Sequence, residues 1–311
     1  MTATRFSSGY VGRFAPSPTG RLHFGSLVAA VGSYLEAHAH GGRWLLRMED
    51  VDAPRTVAGA AEQILRQLSA FGFEWDGPVM TQSGRLDFYR EALEALRAHG
   101  LVFPCACSRK EMADSTDSLL ARDGSRRYPG TCRPGLPSGR EPRAWRFCAP
   151  AGELAWLDGV QGEQVEDVAR DVGDFILLRA DGQFAYQLAV VVDDAAQGVT
   201  HVVRGADLLD STGRQIALLQ ALGKTVPHYA HLPVASNAQG EKLSKQTLAR
   251  ALDVERPEWF LWQALQFLGQ EPPAALQQVT LPVLWQWARE NWSLARVPSR
   301  RAQHVDTDAG L

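Results

Sequence analysis

The sequence predicts an α/β fold on a parallel sheet, with a second unit spliced into it. Three observations carry this. Short apolar stretches of strand type alternate with stretches of helical period through the first hundred residues, the order expected of parallel strands with covering helices. From Cys105 to about Arg143 a run rich in Pro, Gly, Ser and Arg breaks that rhythm and has no period of its own. The rhythm then resumes in GDFILLRADGQFAYQLAVVVDD and GVTHVVRGADLLDSTGRQIALLQALG. In such folds ligands gather beyond the carboxyl ends of the strands.

Taken in order, Tyr10 to Phe14 reads as the first strand. The Pro- and Gly-rich stretch RFAPSPTGRLHFGS, Arg13 to Ser26, turns it into a helix in which Leu27, Val31, Tyr34 and Leu35 recur at helical spacing. Gly41-Gly42 closes that helix. RWLLRMED, Arg43 to Asp50, is a second strand ending in carboxylates, followed by helices over about Val57 to Gly72 and Leu86 to His99. Beyond Pro227 the chain is loop-rich, then helical, with Trp259, Trp262, Trp285, Trp287 and Trp292. Trp259, Trp262 and Leu265 share one helical face, which predicts packing rather than base stacking.

Composition narrows the class. With 311 residues, 45% hydrophobic and 22% charged, the chain can bury a sizeable core. Its N-terminus lacks a signal-peptide pattern, and no apolar run exceeds the five residues of Leu188 to Val192, far too short for a membrane span. A cytoplasmic location is therefore expected. A net charge of −3 argues against broad, nonspecific nucleic-acid binding. Residues 101–150 nevertheless hold nine Lys/Arg against five Asp/Glu, so a polyanion is expected there first.

Two motifs carry chemistry. His23-Phe-Gly25-Ser sits where a helix N-terminus, with its free N–H groups and positive dipole end, follows a strand, a ready site for phosphate. His23 can donate to phosphate oxygens and Gly25 permits close approach. Neither GxGxxG nor GxxxxGK[ST] is present, which disfavours a Rossmann dehydrogenase and a P-loop NTPase. More than two hundred residues downstream, GEKLSKQT puts Lys242 and Lys245 in a polar loop, able to hold a triphosphate. Alone, the first is consistent with an incidental turn and the second with a solvated loop.

Together they resemble the two signature motifs of class I aminoacyl-tRNA synthetases. RMEDVDAPR, FGFEWDGPVMTQSGRLDFYREALEALRAHG and YQLAVVVDDAAQGVTHVVRGADLLDSTGRQ extend the resemblance to the glutamyl-tRNA synthetase core over roughly residues 10–250. Serine in HFGS and glutamine after KLSK depart from many relatives. The resemblance implies activation of L-glutamate by ATP, taken with magnesium, then transfer to RNA. It places His23, Gly25, Lys242 and Lys245 on ATP as the catalytic set, and Arg13, Phe14, Ala15, Pro16, Ser17, Glu49, Tyr186 and Arg204 around glutamate. Arg13 and Arg204 suit a side-chain carboxylate, Tyr186 adds a hydroxyl, and Glu49 suits the ammonium.

Only about sixty residues follow the lysine loop, where a full relative continues into an anticodon-reading domain. The chain is therefore expected to lack that domain. It resembles a truncated branch of the family, which activates glutamate without tRNA and joins it to the queuosine base at the wobble position of tRNA(Asp). The anticodon stem-loop would enter the groove that elsewhere holds an acceptor stem. The rival readings are a fragment charging a tRNA 3′ end, a non-catalytic zinc-bearing tRNA-binding module, and a small-molecule nucleotidyltransferase.

The spacing of Cys105, Cys107 and Cys132 allows either zinc or reduced buried thiols. The resemblance implies one structural zinc held by Cys105, Cys107, Tyr128 and Cys132, with His99 as the alternative fourth ligand and Cys148 outside. The expected division is 1–104 with 171–225 as a Rossmann-like catalytic domain, 105–170 as a zinc-bearing insert, and 226–311 as the lysine loop with a helical domain. A monomer with no membrane association is expected.

Overall fold

A computed structural model describes residues 9–114, 120–121, 124–237, 239, 242 and 251–305. Its first half follows the alternation read from the sequence: β1 (Val11–Phe14), α1 (Phe24–Ala39), β2 (Arg43–Met48), α2 (Ala60–Ala70), β3 (Met80–Thr81) and α3 (Leu86–Ala98). Strands β1, β2 and β3 pair in parallel. α2 starts later than its periodicity suggests, because Gly59 turns the chain into the left-handed region just before it.

A second, antiparallel sheet follows: β4 (Val102–Cys105), β5 (Ala144–Phe147) and β8 (Phe175–Leu178), in that order. Its first two strands bracket the irregular segment, which includes the short α4 (Arg109–Asp114). The hairpin β6 (Glu153–Asp158) and β7 (Gly162–Asp167) leads through the short α5 (Val168–Asp171) to β8. Then come α6 (Tyr186–Ala196), β9 (His201–Gly205), α7 (Thr212–Ala221) and β10 (His228–Leu232). Past β11 (Val234–Ser236), α8 (Pro257–Phe267) and α9 (Leu281–Asn291) lead to β12 (Ala302–His304), which pairs with β11.

Strand pairing cuts across the expected boundaries. β10 lies between β9 and β6, so a strand placed beyond residue 225 and a hairpin placed in the insert both belong to the central sheet. The two halves of that sheet meet where Thr200 donates its N–H to the Val11 carbonyl at 2.9 Å. The layer is thus β3-β2-β1 beside β9-β10-β6-β7, parallel except for its terminal hairpin.

Period-2 alternation divides the strands between two faces. Phe14, Trp44, Leu46, Met48 and Val203 pack under α1, α8 and α9, while Arg13, Arg47 and Arg204 turn the other way. α1 is buried round most of its circumference, and Gly32 explains how close it lies to the sheet: a Cβ there would stand 2.5 Å from a Leu232 methyl. Gly41 and Gly42 donate back to His38 and Ala37 and end the helix. The tryptophans are packing residues. Trp285 is buried, and the indole N–H groups of Trp262, Trp285 and Trp292 donate to Pro273, Phe71 and Glu36.

Candidate active site

The turn after β1 places the first motif. Gly20 takes φ 135°, a backbone region that other residues rarely adopt, and lets the chain double back before α1. His23 is the N-cap of α1, and its Nδ1 accepts the Ser26 N–H at 3.3 Å. In the neutral ring that places the proton on Nε2. Gly25 lies in the first turn, where backbone N–H groups have no helical acceptor.

The downstream loop is tied to this turn. His23 forms a bridge with Ala251, and the Leu252 N–H donates to Leu22 O at 3.0 Å. At the other end Lys242 bridges Ser236, and its Nζ lies 2.5 Å from Asp207 Oδ2. Lys245 lies outside the described residues. The ends of the lysine loop thus flank the strand edge that bears the HxGx turn.

Beneath that turn four of the expected glutamate residues converge. Burial pushes the Tyr186 hydroxyl above its ordinary range, and the charges acting on it are those of Glu49, Arg204, Arg13 and Asp194. Arg13 engages Asp194 through Nε at 3.2 Å, and among the described residues its terminal nitrogens make no hydrogen bond. Glu49 gives Oε1 to Arg47 at 3.2 Å, while its N–H donates to Pro16 O at 3.0 Å, stitching the turn to the end of β2. Burial raises the Glu49 carboxyl, against the pull of Arg47 and Arg13. Ala15 and Pro16 are half-buried and Ser17 is exposed. Phe14 sends its ring into the α1 core beside Trp44, so only its backbone faces the site.

Arg204 is held differently from Arg13 and Arg47, which sit directly on buried carboxylates. Its Nε donates to His231 Nε2 at 3.0 Å, Nη1 to Gln215 Oε1 at 2.8 Å, and Nη2 to Thr212 Oγ1 at 3.0 Å and Leu208 O at 3.3 Å. Every acceptor is neutral. Among the described residues no carboxylate reaches Arg204 within ion-pair distance, although the residue is only 5% exposed. A buried cation without a counter-ion is costly unless an anion arrives.

The cysteine cluster also forms. Cys105, Cys107 and Cys132 hold their sulfurs within 4.8 Å of one another, and Cys107 and Cys132 are 3.6 Å apart. The Tyr128 oxygen lies 3.5 Å from Cys105 Sγ and 3.7 Å from Cys107 Sγ. Sulfurs bound tetrahedrally to one zinc stand about 3.8 Å apart, so the spacing fits that ion. His99 is not part of the cluster; its ring bonds Ala95 O at the end of α3. Of the arginines beside it, Arg133 pairs with Asp174 and Arg127 donates to Arg170 O.

Two groups of residues escaped the sequence reading. Asp193 and Asp194 end the apolar run AYQLAVVVDD, and both are buried. Asp193 accepts from Gln82, Arg85 and Tyr89, fixing the start of α3 against α6. Asp194 binds Arg13 and Arg47. Adjacent acids in an apolar helix were the available signal, since buried carboxylates need partners. His231 and Asp158, behind Arg204, lie in strands far apart in sequence and left no such signal.

The family described as tRNA synthetases class I (E and Q), catalytic domain, matches residues 10–275. The chain is similar to the Glutamyl-Q tRNA(Asp) synthetase of Aromatoleum aromaticum, 64% identical over 289 residues that cover 93% of this chain and 90% of that protein. It is likewise similar to the Glutamyl-Q tRNA(Asp) synthetase of Dechloromonas aromatica, 61% identical over 292 residues, 94% of this chain and 97% of that one. Among solved structures, the glutamate-tRNA synthetase of Elizabethkingia anophelis superposes with a TM-score of 0.79 at 24% identity, covering 96% of this chain and 68% of the other. At that identity the likeness establishes the fold: a class I synthetase α/β fold.

Proposed function

The chain belongs to the class I tRNA synthetases for glutamate and glutamine, and from that premise we infer that it activates L-glutamate with ATP and transfers it to the queuosine base of tRNA(Asp). The observation in the site that supports an acidic amino acid is Arg204, a buried guanidinium held only by neutral acceptors. The glutamate side-chain carboxylate supplies the missing anion. Arg13 offers its terminal nitrogens to the same carboxylate, Tyr186 its hydroxyl, and Glu49 its second oxygen to the ammonium. The backbone of Phe14, Ala15 and Pro16, with Ser17, walls the amino acid.

Activation then needs positioning and charge stabilisation more than covalent help from the protein. The glutamate α-carboxylate attacks the α-phosphorus of ATP, and pyrophosphate leaves. The N-terminus of α1 presents its N–H groups and Gly25 to the phosphates, with His23 Nε2 as a donor. Lys242 and Lys245 receive the triphosphate. Lys242 must first leave Asp207, and with their side chains 45% and 34% exposed that pair is worth at most about 1 kcal/mol. A polyphosphate therefore displaces it readily. This half-reaction proceeds without tRNA. In the second, a hydroxyl of the queuosine cyclopentenediol at the wobble position attacks the adenylate, and AMP leaves.

Cys105, Cys107, Cys132 and the Tyr128 oxygen would hold one structural zinc, which would supply rigidity to the basic segment between β4 and β5. We place the anticodon stem-loop beside that segment.

The test is glutamate-dependent exchange of pyrophosphate into ATP with no RNA present. It should proceed in the wild type, and Arg204→Ala should raise the glutamate KM with little change for ATP. An unchanged glutamate KM removes Arg204 from the pocket; no exchange at all favours a binding module.

A further inference from the structure

We infer that Asp158 and His231 are a positioning pair: they fix the imidazole tautomer whose Nε2 accepts from Arg204, so that Arg204 is oriented without being neutralised. The inference rests on the reading of Arg204 as the group that receives the glutamate side chain.

The geometry dictates the protonation pattern. Arg204 Nε carries a hydrogen and lies 3.0 Å from His231 Nε2, so that nitrogen must be the bare one. The ring proton is then on Nδ1, which donates to Asp158 Oδ2 at 2.5 Å. Asp158 is itself locked: its Oδ1 accepts the backbone N–H groups of Val160, Gln161 and His231 at 3.1, 2.9 and 3.0 Å. Both side chains are fully buried. Burial pushes His231 down to about 4, so the ring is neutral at physiological pH.

The comparison within the molecule gives the arrangement its meaning. Arg13, Arg47 and Arg85 are each in contact with Asp193 or Asp194. Arg204 has a buried carboxylate behind it too, but one imidazole farther away. A carboxylate placed directly on Nε would orient the guanidinium equally well and cancel the charge that a substrate carboxylate needs. The imidazole transmits the orientation and keeps the anion at a distance.

Asp158→Asn isolates this role. Asparagine Oδ1 keeps the three backbone bonds, while its amide donates to His231 Nδ1 and drives the ring proton to Nε2, against Arg204 Nε–H. His231→Gln and His231→Leu form a second comparison: both lose the bond to Asp158, but glutamine retains an oxygen for Arg204. The readouts are KM for glutamate and for ATP in pyrophosphate exchange, and ¹⁵N shifts of the His231 ring in the whole protein. Asp158→Asn and His231→Leu should raise the glutamate KM at least about tenfold and the ATP KM less than about twofold, with His231→Gln between them and wild type. The wild-type ring should show Nδ1 protonated, and the Asp158→Asn ring Nε2.

Equal glutamate KM for the glutamine and leucine variants, or a wild-type ring protonated on Nε2, overturns the proposal. If Asp158→Asn does not fold, the wild-type spectrum and the His231 pair still decide it. Wild-type protein without glutamate-dependent exchange would instead overturn the proposed function, and the ring tautomer would then test the pair alone.

Discussion

Replacing Asp194 by alanine should cost about 3–5 kcal/mol of folding stability, the loss typical of removing one partner from a buried ion pair. The carboxylate lies 3.2 Å from Arg13 and 2.8 Å from Arg47, with the three side chains 8%, 4% and 0% exposed. Alanine would leave two desolvated guanidinium groups, with Glu49 as the one carboxylate still on Arg47 among the described residues. Lys242 and Asp207 provide the control. Their contact, 2.5 Å, is shorter than either, but water already screens it, so Asp207→Ala should cost at most about 1 kcal/mol. Burial, not contact distance, decides the order.

Urea unfolding followed by tryptophan fluorescence measures both costs, provided the slopes agree. Equal losses, or a larger one for Asp207→Ala, would refute the reasoning. The pH dependence has a definite sign. Burial acts to raise Asp194, but Arg13 and Arg47 outweigh it and hold the group below the ordinary carboxylate range. Its contribution is therefore complete above the unfolded value of about 3.9 and is lost as pH falls through the lower folded value. The difference between wild type and Asp194→Ala should stay constant from neutrality to mild acid.

Histidines should make the protein acid-sensitive at a higher pH. Burial pushes His231 and His201 from 6.5 down to about 4, so the unfolded chain takes up protons first. Stability should be level above pH 6.5 and fall from there towards pH 4. His201→Phe, which keeps a ring on Tyr10, should give a shallower fall in urea titrations across that window. Metal analysis should return about one zinc per chain, and chelation or Cys107→Ala should lower the melting temperature; no zinc, with indifference to chelator, returns the cysteines to plain thiols. Lys245→Ala should slow pyrophosphate exchange chiefly through kcat, and an unchanged kcat would remove that lysine from the phosphates.

The sequence made legible whatever is local or periodic. The strand, turn and helix around His23 follow from apolar spacing and from Pro and Gly, and the cysteines stand out by residue type. Arg13 and Arg204 were readable as fixed cations because they stand in short apolar strands. What they touch was not. Asp194 meets Arg13 across 181 positions, and His231 meets Asp158 across 73; such contacts arise only when strand order is set. β10 and the β6–β7 hairpin illustrate the same limit, since the pairing that puts them in the central sheet is decided by which edges meet rather than by the period of either segment.

The central claim is the acceptor. Labelled glutamate and ATP should be supplied with tRNA(Asp) that carries or lacks queuosine, each with its 3′-terminal adenosine removed, and the label on RNA measured. The account predicts full labelling of the shortened queuosine-bearing tRNA and none of its queuosine-free counterpart. Label that vanishes with the terminal adenosine, or that is equal on both RNAs, would contradict it.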